Sequence, residues 1–202
     1  MYEKTANEAS KLWENKGGLS KGDSKKYWNR KFLERFKFKV FPWPMHKMCA
    51  GANCMIPKRI LLEVGGYAEF LGQENTVDGV TLEIGYKIAK AGYEMMYNPE
   101  IMLLHKHPTD LKDVKKKLYY YGKQDTGSAM YIFLQNNDFR YLWWAVFGHS
   151  LYTIKKMVKR IFGHYALPIS YIFYGLKGNC VGWIISLTKY KKMGIKNNGI
   201  NI

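Results

Sequence analysis

The stretch GANCMIPKRILLEVGGY (51–67), followed after a glycine-punctuated loop by VTLEIGYKIAKAGYEMMYNPEIMLLHKHP (80–108), decides how the rest of the chain is read. Residues 58–64 have the spacing of a short helix, which Gly65-Gly66 closes because glycine enters the left-handed C-cap conformation without steric cost. Residues 67–79 read as a polar loop, long for a compact domain, and loops of that kind carry function disproportionately often. Asp78 stands where an N-cap belongs, ahead of a helix whose Leu82, Ile84, Ile88 and Ala91 share a face and which stops at Gly92. Two short strands are expected next, 93–97 and 101–105, parted by the turn at Asn98-Pro99.

On the N-terminal side, residues 1–40 read as one or two polar helices broken at Gly17-Gly18 and Gly22, and Phe41-Pro42-Trp43-Pro44 forces an extended passage. On the C-terminal side, Thr109 or Asp110 caps a helix in which Leu111, Val114 and Leu118 are spaced three and four apart, with a break expected at Gly122. Two apolar stretches follow. Trp143, Phe147, Leu151, Ile154, Val158 and Ile161 recur at helical spacing, with Lys155, Lys156, Lys159 and Arg160 on the other face or end, the pattern of a helix lying in the plane of an anionic leaflet. Residues 165–187 are long enough on paper to span a bilayer, but Lys177 and Asn179 near the middle favour an interfacial or re-entrant segment.

A chain of 202 residues, 47% hydrophobic and 24% charged, can bury one real core and is too apolar to be disordered. Its formal charge of +16 asks for an anionic partner. From residue 139 onward there is no Asp or Glu, yet there are ten lysines and arginines, so the last third is a basic appendage. No RNP-like, helix-turn-helix or zinc-finger spacing is present, so nucleic acid is not the expected partner and an anionic membrane surface is. Cys49, Cys54 and Cys180 form neither a CxxC pair nor an even framework, which fits a reducing compartment. A zinc site from Cys49, Cys54, His105 and His107 would fit no standard spacing. The lysine-rich start has no apolar core, which argues against a cleaved secretory signal.

Several short pieces keep a common order: Gly51-Ala52-Asn53 with Lys58-Arg59, then Glu63-Val64-Gly65-Gly66-Tyr67, Glu83 to Ile88, Ala91-Gly92-Tyr93, Tyr97-Asn98-Pro99, His105-Lys106-His107-Pro108 and Tyr121-Gly122-Lys123. Taken together over residues 49–127, the chain resembles glycosyltransferase family 2. The resemblance implies an α/β chain: a partial GT-A (Rossmann-like) domain, its C-terminal acceptor-side half, over 41–138, after the polar helical segment 1–40 and before amphipathic, membrane-associated helices in a tail at 139–202. The expected activity is inverting transfer of a sugar from a nucleotide-sugar donor to a lipid-linked or surface glycan acceptor at the cytoplasmic face of a membrane.

The resemblance assigns substrate binding to Gly51, Ala52, Asn53 and Lys123, the lysine near the diphosphate, and metal contact to His105. A divalent ion, Mg or Mn, is implied for the complete enzyme. Inversion needs a carboxylate to take the acceptor's proton. The family's Glu-Asp pair falls on Val80 and Thr81, so the candidates become Asp78, which could equally serve only as a helix cap, and Glu83. The donor-binding half and its D-x-D motif have no counterpart in this sequence, so a fragment, or one part of a split enzyme with a separate donor-binding half, is expected. The alternative is a catalytically inactive membrane-binding or scaffold remnant of such an enzyme.

Overall fold

The computed structural model describes residues 7–15, 22–37, 42–43, 45–48, 51–69, 71, 79–103, 107–165 and 167–190. The order of elements is α1 (Glu8–Asn15), β1 (Lys26–Trp28), α2 (Arg30–Lys37), α3 (Met45–Met48), a 3-10 turn (Gly51–Asn53), α4 (Lys58–Glu63), α5 (Val80–Lys90), β2 (Met95–Tyr97), α6 (Leu111–Asn136), α7 (Phe139–Trp143), α8 (His149–Ile161) and α9 (Ile169–Ile185). Single π-helical turns, Trp144–Gly148 and Ser186–Tyr190, continue α7 and α9.

Local chemistry sets several boundaries. Gly65 and Gly66 take φ of 81° and 67° and end α4 as the sequence requires. Asp110 starts α6 by accepting a hydrogen bond from the Asp113 amide at 2.7 Å. Asn7 caps α1 by accepting from the Ser10 amide at 2.9 Å, and its own amide nitrogen donates to the Thr109 carbonyl at 2.6 Å. That pair of bonds ties the N-terminal helix to the start of α6, where Trp13 is buried with Val114, Leu118, Leu167 and Tyr171.

The 26-residue α6 is the spine of the molecule. Its last turns meet α5 and the aromatic N-terminal segment in a core of Trp28, Leu33, Trp43, Tyr86, Met130 and Ile132. Along the rest of its length it packs against α9 closely enough that backbone meets backbone at the seam glycines. A methyl on Gly178 would collide with the Tyr119 carbonyl oxygen, and one on Gly122 with the Gly175 carbonyl oxygen. Gly122 was expected to end the helix; instead α6 runs through it, because the absent Cβ is what lets the neighbouring backbone approach.

The expectation of an α/β, partial GT-A domain is corrected by these elements. Among the described residues the sheet has two strands, antiparallel, with Lys26 opposite Tyr97 and Trp28 opposite Met95. The strand read at 93–97 exists as β2, but its partner comes from the N-terminal segment. Residues 101–103 of the second expected strand lie outside any strand, and 104–105 lie outside the described residues. A Rossmann-like layer requires parallel strands buried on both faces. Here α5, α6 and α9 bury their apolar faces on one another and on aromatic side chains, so the chain is mainly helical. No helix among the described residues is long and apolar enough to cross a membrane.

Candidate functional site

Of the residues singled out by sequence, Gly51, Ala52 and Asn53 lie on one side of α5 and Glu83 on the other, while Lys123 stands apart on α6. On one side is the turn Gly51–Asn53. A Cβ on Gly51 would fall on the Thr81 hydroxyl, so the turn's backbone rests directly on the first turn of α5. Asn53 is exposed, and its side-chain nitrogen donates to the Ile101 carbonyl at 3.0 Å, which holds the segment after β2 against the same turn. Three stretches far apart in sequence therefore meet, and Met55, Met102 and Leu103 lie exposed around them. Ala52 is the middle residue of the turn.

The first turn of α5 is itself fixed. Gly79 precedes the helix without a side-chain cap, and a Cβ there would strike the Cβ of Ser128 on α6 at 2.5 Å. The helix start is thus clamped between the 51–53 turn and α6. Thr81 occupies a position where the resembled family carries an acid, and its packing against Gly51 is a role that no pattern in the sequence signals.

Glu83 lies on the other side, since two residues along a helix rotate the side chain by about 200°. It is 4% exposed, and its Oε1 sits 2.7 Å from Lys87 Nζ. Lys87 Nζ also donates to the Gly66 carbonyl at 3.0 Å, so the pair staples α5 to the glycine end of α4. Burial pushes the Glu83 carboxyl above its ordinary pKa, with Lys87 and then the Ala68 amide pulling it back. The neighbouring Tyr131 phenol is raised by burial, and by the charge of Glu83.

Lys123 stands on α6 with Nζ 5.7 Å from the centre of the Tyr120 ring, while its backbone forms part of the seam with Gly178 and Gly182. Asp78 and His105 lie outside the described residues. Among the described residues no three His, Cys, Asp or Glu side chains gather as a metal site. The buried carboxylate present, Glu83, is already neutralised by Lys87. The Mg or Mn ion implied by the resemblance therefore finds no fitting donor set among the described residues. Searches against protein-family models, curated proteins and solved structures find nothing that matches this chain.

Proposed function

We propose that the Gly51–Asn53 turn, the first turn of α5 and residues 101–103 form the acceptor-side wall of a sugar-transfer site of glycosyltransferase family 2 type, serving transfer from a nucleotide-sugar donor to a lipid-linked or surface glycan. The observation that carries this reading is that one piece of the family resemblance, Gly51–Asn53, is seated on the start of α5 and on the segment after β2: Gly51 lies on Thr81 and Asn53 is bonded to the Ile101 backbone. Asn53 commits its amide nitrogen to that bond, and its side-chain oxygen is the group suited to accept from a sugar hydroxyl. Saturation-transfer NMR of the full chain with a panel of nucleotide sugars and oligosaccharides tests the reading. Sugar protons of one ligand class should receive magnetisation, and Asn53→Ala should lower the signal at least about tenfold with unchanged far-UV circular dichroism. Transfer to none of the ligands, or equal transfer to the variant, contradicts it.

A second reading is a catalytically silent relative that keeps the local wall but not the chemistry. It is favoured by Glu83, whose carboxylate is spent on Lys87, itself bonded to the Gly66 carbonyl at the end of α4, on the side of α5 away from the turn. Release of nucleoside diphosphate from any donor by the chain, lost in Asp78→Ala, would exclude that reading.

A further inference from the structure

The amphipathic helix α8 is packed inside out. Its buried residues are His149 and Thr153, 7% and 8% exposed, and Lys156 beside them is partly buried. These lie three and four apart and so share one face, the buried one, on which His149 packs against the Trp144 ring. Lys156 is held there with Nζ 4.0 Å from the Tyr152 ring centre, and Asp125 of α6 supplies opposing charge. The opposite face carries Leu151 (55% exposed), Ile154 (56%), Val158 (45%) and Ile161 (71%), spaced three, four and three apart in one stripe, with Phe162 at its end. A helix on a soluble core normally turns such a stripe inward. Here the polar face is inward and the apolar face meets solvent.

Charge selects the occupant. Lys155 and Lys159 are exposed beside the stripe, Arg160 is exposed near its end, and no acid occurs anywhere from residue 139 onward. A second copy laid face to face would bring lysine against lysine, which is unfavourable where water is excluded. Nucleic acid would satisfy the cations and leave the leucine and isoleucines wet. An anionic bilayer takes both, with apolar side chains sinking among acyl chains and ammonium groups at the phosphates. On these grounds we infer that α8 docks flat on an anionic lipid surface through Leu151, Ile154, Val158 and Ile161, with Lys155 and Lys159 at headgroup level. This surface is independent of the sugar-transfer reading and stands if that reading fails.

The test is co-sedimentation of the full chain, treated with nuclease, with sucrose-loaded vesicles of phosphatidylcholine alone or with a 30% share of phosphatidylglycerol (about 0.1 M salt). Binding is expected to the anionic vesicles and to fall sharply on raising the salt, with little binding to phosphatidylcholine. The double variant Ile154→Asp/Val158→Asp should lower the partition coefficient at least about 30-fold. Lys155→Glu/Lys159→Glu should lower it by a similar factor on anionic vesicles only. All four positions are solvent-exposed, so circular dichroism and unfolding midpoints should match the wild type and separate loss of docking from loss of fold. Wild-type binding unaffected by both double variants overturns the inference. So does an absence of vesicle binding with a dimer that Ile154→Asp/Val158→Asp disperses, or retention that nuclease abolishes.

Discussion

Replacing Gly178 by alanine probes the α6–α9 seam with a single methyl. In an ordinary helix interior the change would be favourable by about 1 kcal/mol, since glycine carries the larger backbone entropy. In this seam the new Cβ would meet the Tyr119 carbonyl oxygen at far below contact distance, with the Lys123 amide nitrogen at 2.8 Å and the Tyr119 carbonyl carbon at 2.9 Å. All three are backbone atoms of α6 and cannot rotate aside, so the helices must part. Overpacking of this kind costs roughly 1–3 kcal/mol and more when backbone has to move. We take the upper end and subtract the propensity gain, which leaves a net loss of about 2 kcal/mol and a fall in Tm of roughly 4–8 °C for a chain of this size. Gly175→Ala is the internal control, on the same helix and in the same seam. Its Cβ would meet only the Leu118 carbonyl oxygen at 3.8 Å, an ordinary contact, so propensity should make it neutral or stabilising by up to about 1 kcal/mol. Urea unfolding followed by far-UV circular dichroism measures both. Equal effects of the two substitutions, or a stable Gly178→Ala, would refute the close-packed seam.

Arg140→Lys should cost about 1–2 kcal/mol in the same assay, because Arg140 donates to both Asp138 oxygens, with Nε–Oδ1 at 2.8 Å, and lies 4.8 Å over the Trp43 ring, a fork and stack that lysine cannot reproduce. Asp110→Ala removes the cap of α6 and should lower stability by about 1 kcal/mol, read as a shift of the urea midpoint. Glu83 has a folded pKa raised above its unfolded value, so its contribution is fully present below the ordinary carboxylate range and is lost as pH climbs through the raised pKa. Urea midpoints of wild type minus those of Glu83→Gln, measured at several pH values from the carboxylate range to neutrality, should therefore decline with rising pH; a difference that grows with pH contradicts the burial of Glu83.

Features fixed by neighbours in sequence were legible beforehand. The Gly65-Gly66 stop, the Asp110 cap and the helix ending near Gly92 each depend on a few adjacent residues, and each is found. What depended on distant contacts was not. Gly122 looks like a breaker until the Gly175 carbonyl is seen against it, and the 93–97 strand gives no hint that Lys26–Trp28 will pair with it. The expected GT-A layer failed for the same reason: a motif sequence specifies turns and helix ends, whereas the number of strands in a layer is a property of long-range pairing. At the candidate site, Gly51 and Asn53 were singled out through the resemblance, while the turn they form, the Thr81 contact and the Ile101 bond required the folded chain. Glu83 and Lys87 are one helical turn apart and their pairing is readable; that the pair is buried and points away from the turn is not. The α8 stripe was equally plain as a period, yet periodicity cannot say which face a helix turns inward.

That orientation is the claim on which the account of the tail rests, and cysteine accessibility measures it directly. In a background with Cys49, Cys54 and Cys180 changed to serine, Leu151→Cys and Ile154→Cys should react with a thiol reagent at nearly the rate of a free peptide. His149→Cys and Thr153→Cys, on the buried face, should be protected by at least about a hundredfold under native conditions. The reverse pattern, with 149 and 153 reactive and 151 and 154 protected, would show that α8 packs through its apolar stripe after all and leaves nothing to dock on a lipid surface.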